Sequence, residues 1–398
     1  MGNNEQGLML VAAVPLMVSL QWTVIMLIDW LQERRAVQLR MLTFMAVTTL
    51  LYGGHYVYFT HIDALLPVAN IIYRWCNLLV YPLYLLYIRQ LTRGGLDARA
   101  TWLWLLPALV GGGLFTVAFL SGNTEWTARA DMLCRTLFAL LVIGVCWQGL
   151  HLLQQFRQKV ENFYADTEGR TLRPVTVLLI LLTVVSAASM IANLIGRDSI
   201  PPTAWALAIP SLIFSTLLFC IGYTGQRRIF SYADMKEMED WQLSEEEEER
   251  EENEKTEDEE VELKKEILNE EEPNEEEPNE EELLAETTDG KENVRSSQSK
   301  LEDMAQIIER LMKEEQLFLR QDLHIIEVAR RLGTNDKYIS RAINHVLGMS
   351  FAEYINNKRV AYAQDIIKKN PELPMSDVAS RSGFKSMSSY YRHMRRVQ

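Results

Sequence analysis

Cysteine and histidine are scarce in this chain of 398 residues, with four of the first and six of the second. Cys76, Cys134, Cys146 and Cys220 all fall in apolar stretches, and none belongs to a C-x-x-C pair. That leaves no disulfide framework or zinc knuckle, and reads the four as small buried hydrophobes. His55 and His61 stand close together but His151 lies far along the chain, so no haem or metal set forms, and neither metal nor cofactor is expected. Catalytic signatures are missing as well: there is no H-E-x-x-H, no P-loop and no G-x-S-x-G. No catalytic residue is assigned, and the expectation is a protein that is not an enzyme. The first apolar run lacks a basic segment before it and a small-residue cleavage site after it, so it reads as a span rather than a signal peptide.

What the chain has in quantity is long hydrophobic runs. Seven of them fill the first half, at about Leu8–Trp30, Leu39–Phe59, Leu65–Leu91, Trp102–Leu120, Met132–Leu152, Val175–Ile195 and Trp205–Tyr223. Each is about 20 residues or more, enough at 1.5 Å per residue to cross roughly 30 Å of hydrocarbon. A soluble helical core supplies one or two such runs, not seven in succession. The basic residues then set an orientation. Arg34, Arg35 and Arg40, then Arg89, Arg93 and Arg99, then Arg157, Lys159, Arg170 and Arg173, and finally Arg227 and Arg228 fall on one side; only Arg129 and Arg197 fall on the other. By the positive-inside rule the N-terminus is outside and the C-terminus cytoplasmic, in a bacterial inner membrane.

Polar residues within the runs concentrate at one depth. His55, Asn70, Arg74, Asn77, Arg135, Ser189 and Asn193 fall in the outer half or near the midplane, with Asp131 at the outer rim. Charges at that depth are costly unless they face a bundle interior, a cavity or a partner. One reading is a pocket in which His55, Asn70, Arg74, Asn77, Asp131, Arg135 and Asn193 receive a small periplasmic or membrane-borne ligand, with the arginines holding an anionic group. The plainer reading is polar glue between helices.

The net charge of −13 arises from one segment. Ser244 to Glu292 is mostly glutamate, with Glu271-Glu272-Pro273-Asn274 nearly repeated at Glu276-Glu277-Pro278-Asn279, and carries about −20. Such a composition buries too little apolar surface to offset chain entropy and is expected to be disordered, apart from a transient helix over Val261 to Leu268. It serves either as a self-repelling spacer or as a competitor for the basic surface that follows.

That surface lies in the last eighty residues. From Arg320 onward fourteen basic residues stand against seven acidic ones, a net of about +7 that suits a phosphate binder. Two helix-turn-helix patterns recur there. The first runs from Ile325 through Leu332-Gly333 and a polar cap at Thr334-Asn335-Asp336 to Asn344. The second runs from Ser376 through Gly383-Phe384-Lys385 to His393. Each has a short helix, a glycine for the left-handed turn, a polar cap and a second helix. Between them Ser350 and Glu353 form a capping box for one long helix that Asn370-Pro371 ends. Its roughly 30 Å is close to the ~34 Å turn of B-DNA, so it can present two recognition helices to successive major grooves. Upstream, Leu301, Met304, Ile307, Ile308, Leu311 and Phe318 make an apolar stripe; it covers the following domain in part, and a homodimer through 301–318 is a further use of it.

Phe318 to Arg396 resembles the DNA-binding domain of AraC/XylS-type transcription regulators. The resemblance rests on Asp322-Leu323, the Leu332-Gly333 turn, Tyr338-Ile339-Ser340 at the start of the first recognition helix, and Gly383-Phe384-Lys385-Ser386 before the second. Met394 stands where phenylalanine is usual. The resemblance implies contact with double-stranded DNA through both motifs. Candidate contacts are Lys337, Tyr338, Ser340, Arg341 and Asn344 in the first helix, and Lys385, Ser386, Ser388, Ser389, Arg392, His393, Arg395 and Arg396 in and around the second. Arg341 and Arg392 suit bidentate reading of guanine; Lys385, Arg395 and Arg396 suit phosphate.

The expected fold is all-α: a seven-helix transmembrane bundle over 1–230, the disordered acidic linker over 231–298, and a double helix-turn-helix domain over 299–398. Within the last, the first motif covers about 323–347, the connecting helix 350–370 and the second motif about 375–396. The chain as a whole resembles membrane-anchored AraC-type regulators, in which a polytopic domain in the lipid bilayer replaces a soluble sensor. A transporter or channel with a DNA- or partner-binding tail is the alternative, but Pro15, Pro82, Pro107 and Pro210 in the runs come without a convincing internal repeat. Orientation is open to direct test. An alkaline phosphatase reporter fused after Tyr232 is expected to be inactive, and high activity there would overturn the assigned topology.

Overall fold

The computed structural model describes residues 3–95, 97–195, 204–227, 230–236 and 292–397. The acidic stretch expected to be disordered lies almost wholly outside these residues, as do Arg197 and Arg228. Among the described residues the regular structure is helical, apart from an isolated antiparallel bridge between Tyr164 and His324. The chain forms two compact units. One comprises Met1–Val160 and Thr167–Ala233; the other comprises Glu161–Asp166 and Asp234–Gln398.

The first unit is built from α1 (Asn3–Glu33), α2 (Ala36–Phe59), α3 (Leu66–Arg93), α4 (Ala98–Leu120), α5 (Thr124–Phe163), α6 (Arg173–Ile195) and α7 (Ala204–Gln226). All seven are long and apolar enough to cross a membrane. Several overrun the hydrophobic runs that foretold them, α5 most of all at 40 residues. Hydropathy marks only the apolar part of a helix, whereas backbone hydrogen bonding carries α5 on through Gln154, Gln155, Arg157 and Lys159. Pro15, Pro82, Pro107 and Pro210 all lie inside helices that continue past them, as is tolerated where neighbouring helices re-satisfy the freed carbonyls.

α3 is the central helix, with 56% of its span buried against 22–33% for the others. It packs on α2 and α4, while α1 lies against α2 and α7. Close approach is purchased with small residues: a Cβ at Gly112 of α4 would stand 2.7 Å from the Trp75 ring of α3. One turn on, the Trp75 indole Nε1 donates to Thr116 Oγ1 at 3.0 Å, so the polar edge of that ring is satisfied within the bundle. The outward faces are apolar. Along α4, Trp102, Leu103, Leu106, Leu114, Val117 and Leu120 are all exposed, and exposed apolar faces of this kind mark sites of protein–protein or membrane contact.

The second unit contains α8 (Glu292–Glu315), α9 (Ile325–Arg331), α10 (Asp336–Val346), α11 (Phe351–Lys369), α12 (Met375–Arg381) and α13 (Met387–Val397). Each helix-turn-helix has its own core. Ile325, Val328, Ile339, Ile343 and Ile355 are buried in the first. Val360, Ala363, Val378, Ala379, Phe384 and Tyr390 form the second, and Met394 packs against them. The caps follow the sequence. Asn335 Oδ1 accepts from Tyr338 N–H at 2.8 Å at the start of α10, and Ser350 Oγ accepts from Glu353 N–H at 3.3 Å at the start of α11. Asn370 caps the end of α11, where the chain turns into Pro371. The apolar stripe of α8 is largely consumed within this unit, since Ala305, Ile308, Leu311 and Met312 are buried, and only Ile307 keeps substantial exposure.

Gly333 and Gly383 both have positive φ, at 60° and 79°. Gly383 is the more constrained, because a Cβ there would also stand 2.7 Å from the Leu319 carbonyl oxygen. Gly383→Ala is therefore expected to lose roughly 1–3 kcal/mol from backbone strain, with the collision adding to it. Faster amide exchange across α12 and α13 in the full chain would show this; unchanged exchange would not fit the turn described.

Candidate nucleic-acid interface

The second helix of each motif presents a polar face to solvent. On α10, Lys337 and Arg341 are exposed one turn apart, with Tyr338, Ser340 and Asn344 half-buried beside them. All three half-buried residues are engaged in internal bonds. The Tyr338 hydroxyl donates to the Lys300 carbonyl at 3.0 Å, and Asn344 Nδ2 donates to Ser340 Oγ at 3.1 Å. Lys337, Arg341 and Asn344 thus share one side of a helix whose opposite side, Ile339, Ala342 and Ile343, is core.

The second recognition helix is arranged similarly, with differences that spacing alone could not reveal. Ser388, Arg395 and Arg396 are exposed, Arg392 is half-exposed, and Arg392 Nη2 donates to Ser388 Oγ at 3.4 Å. Ser386 caps the helix by accepting from Ser389 N–H at 3.1 Å. Ser389 itself is only 5% exposed. His393 is half-buried, its ring 6.2 Å from that of Phe384. It lines a cleft of about 310 Å³ against α11, together with Asn357, Gln364 and Arg396. Burial, reinforced by the nearby positive charges of Arg396, Arg392 and Arg359, pushes the imidazole down to about 4. It is neutral at physiological pH. Lys385 is exposed and pairs with Asp322 at 3.1 Å, which costs little to open in solvent.

The basic surplus is not evenly available. Arg331 pairs with Glu315, and Lys358 with Glu309, tying α8 to the rest of the unit. Arg320 pairs with Glu327 at 2.6 Å. Arg359 is wholly interior, 1% exposed. Its Nε donates to the Phe318 carbonyl and its Nη2 to the Arg320 carbonyl, each at 2.6 Å, and the guanidinium lies 5.9 Å from the centre of the Phe384 ring. Burial lowers it to about 10, with Asp166 and Asp322 opposing the shift. Arg359 counts toward the basic surplus of this domain, whereas the structure makes it an internal fastener. Its register was the available signal: it falls four residues after Ile355 and four before Ala363, on the buried side of α11.

The polar residues of the apolar helices gather in part. Arg74 forms an ion pair with Asp131, whose other oxygen accepts from Arg135 Nε at 2.8 Å. Arg74 also lies over the rings of Tyr73 and Phe115, at 5.2 and 5.4 Å. His55 meets the Tyr73 ring edge-on at 4.9 Å, which places it next to the same cluster. Asn70 and Asn77 are half-buried on the face of α3 that carries Arg74. The Asn193 side chain lies outside the described residues. Tyr73 and Phe115, which the reading of polar residues omitted, are the aromatic walls of the cluster.

Residues 328–398 match the family described as a helix-turn-helix domain. Neither a curated protein nor a solved structure matches the chain. The family match, with the paired motifs just described, supports a DNA-binding transcription regulator of the AraC type at the C-terminus.

The depressed imidazole has a consequence for acid stability. Because the unfolded chain binds the His393 proton more tightly than the folded one, stability present above the ordinary value of 6.5 is lost as pH falls from there toward about 4. His393→Gln should flatten the acid-side loss of order in α13 across that window. An unchanged profile by amide exchange would mean another group is responsible.

Proposed function

We propose that the chain is a one-component transcription regulator held in the bacterial inner membrane, which binds specific double-stranded DNA through both helix-turn-helix motifs and answers to a signal received by its seven apolar helices. The observation that carries this reading is the presence, in one chain, of a module matching a helix-turn-helix family and of seven helices suited to a bilayer. The clustering of loop arginines supports a cytoplasmic C-terminus, the side on which DNA is found.

In this reading α10 and α13 enter successive major grooves. α11, 19 residues long and about 28 Å end to end, holds them. Arg341 and Arg392 read base edges, with Lys337, Tyr338, Ser340, Asn344 and Ser388 alongside. Lys385, Arg395 and Arg396 neutralise phosphate. Ser386 and Ser389 act through the cap and core of α13, and His393 through its neutral ring against Phe384. Ile307, with Leu301 and Met304, is the part of α8 left for a second subunit.

For the signal, the cluster of Arg74, Arg135 and Asp131 carries two positive charges to one negative, a surplus suited to an anionic group on a small ligand, with His55, Asn70 and Asn77 beside it; Asn193 stays a candidate from the sequence alone. A second reading has a specific observation in its favour: Asp131 already bridges both arginines, as interhelical glue would.

The base-reading assignment is tested by titrating the full chain with duplexes of varied sequence. Arg341→Ala should lose about 1–3 kcal/mol of discrimination at particular base pairs. Lys385→Ala should weaken all sequences alike and flatten the salt dependence. A uniform loss in both variants would refute the assignment.

A further inference from the structure

The compact unit that holds the two motifs also includes six residues from far upstream, Glu161–Asp166, the last turn of α5 and the chain beyond it. They are seated deeply. Tyr164 and Ala165 are fully buried and Asp166 nearly so. Tyr164 forms the antiparallel bridge with His324, and Ala165 N–H donates to the Leu323 carbonyl at 3.1 Å. From the other side, Asn356 Nδ2 of α11 donates to the Ala165 carbonyl at 2.9 Å. The rings of Phe163 and Tyr164 lie against that of His324, with centroids 6.1 and 4.8 Å away. This is strand addition at its smallest, with backbone bonding supplying the docking and two aromatic side chains, Phe163 and Tyr164, the specificity.

We propose that the helix-turn-helix unit carries a docking site for this connection between α5 and α6, and that the seated connection is the DNA-competent arrangement of the unit. The site spans three parts of the machinery. His324 is the N-cap residue of α9, Asn356 belongs to α11 and lies one turn before Arg359, and Asp166 supplies negative charge to the buried Arg359 guanidinium. Arg359 in turn holds the carbonyls of Phe318 and Arg320. Withdrawing the connection leaves the Leu323 carbonyl and the Asn356 amide without these partners and removes a countercharge from Arg359. The relative placement of both motifs then loosens, and apparent affinity falls with the fraction still in the competent arrangement. The same continuous helix that ends in this segment carries Asp131 and Arg135 near its start, so a shift of α5 along or about its axis has a direct route to the docked residues.

The coupling half of this proposal rests on the DNA-binding reading; the docking half does not. Ala165→Pro removes the donor to Leu323 at a position beyond the end of α5, and the extended backbone that proline asks of Tyr164 suits a bridge residue. Full-length wild type, Ala165→Pro, Asn356→Leu and the double variant are placed in nanodiscs, followed by amide exchange and titrated with a mixed-sequence duplex at low salt. Ala165→Pro should raise exchange over 161–166 and 323–326 and weaken duplex binding at least threefold. The double variant should be no worse than the more severe single one, because each releases the same docked segment, one by losing its bond to Leu323 and the other its bond from Asn356. Unchanged exchange in Ala165→Pro, or fully additive losses, would overturn the docking. Raised exchange with unchanged affinity would overturn the coupling. A wild type that binds no duplex at all would refute the DNA-binding reading and the coupling with it, while exchange would still decide the docking.

Discussion

The C-terminal unit depends on one guanidinium taken out of water. Burying Arg359 costs several kcal/mol on its own, and the fold offsets that with two short carbonyl bonds, the Phe384 ring and the carboxylates of Asp166 and Asp322. Only an arginine can do this. Its planar fork reaches two carbonyls in different directions and keeps its charge where a lysine would lose it. Because those carbonyls belong to the segment leading into the first motif and Phe384 belongs to the second, the same side chain registers the two motifs against α11. The tight turn at Gly383 follows from this arrangement, since the chain must pass so near Leu319 that no Cβ fits.

The two units distribute their apolar side chains in opposite ways. In the first unit apolar side chains cover the outward faces, the interior is shared among small residues, aromatic rings and a few paired charges, and α3 takes the middle. In the second unit the pattern is inverted, with each helix spending its apolar stripe inward and turning lysine, arginine and serine outward. α8 shows how far that stripe is used within the unit. The share of it that covers the following domain is larger than the share left over, because α8 packs along α10.

Repetition and periodicity are what the sequence alone determined. Seven apolar runs, two glycine turns, the caps at Asn335 and Ser350 and the stop at Asn370 are local features, each fixed by hydrophobic length, left-handed backbone or a side chain bonding a nearby N–H, and all appear where the pattern put them. Long-range pairing was left to the tertiary structure. Charge counting includes Arg359 in the basic surplus, and only the packing of α11 makes it internal. Serine spacing makes Ser389 resemble Ser388, and only the second core separates them. Nothing in Glu161–Asp166 marks it as a partner of Leu323 and Asn356, because a backbone bridge between segments more than 150 residues apart depends on which carbonyls and amides the fold leaves uncovered, and the residues carrying those groups give no sign of it.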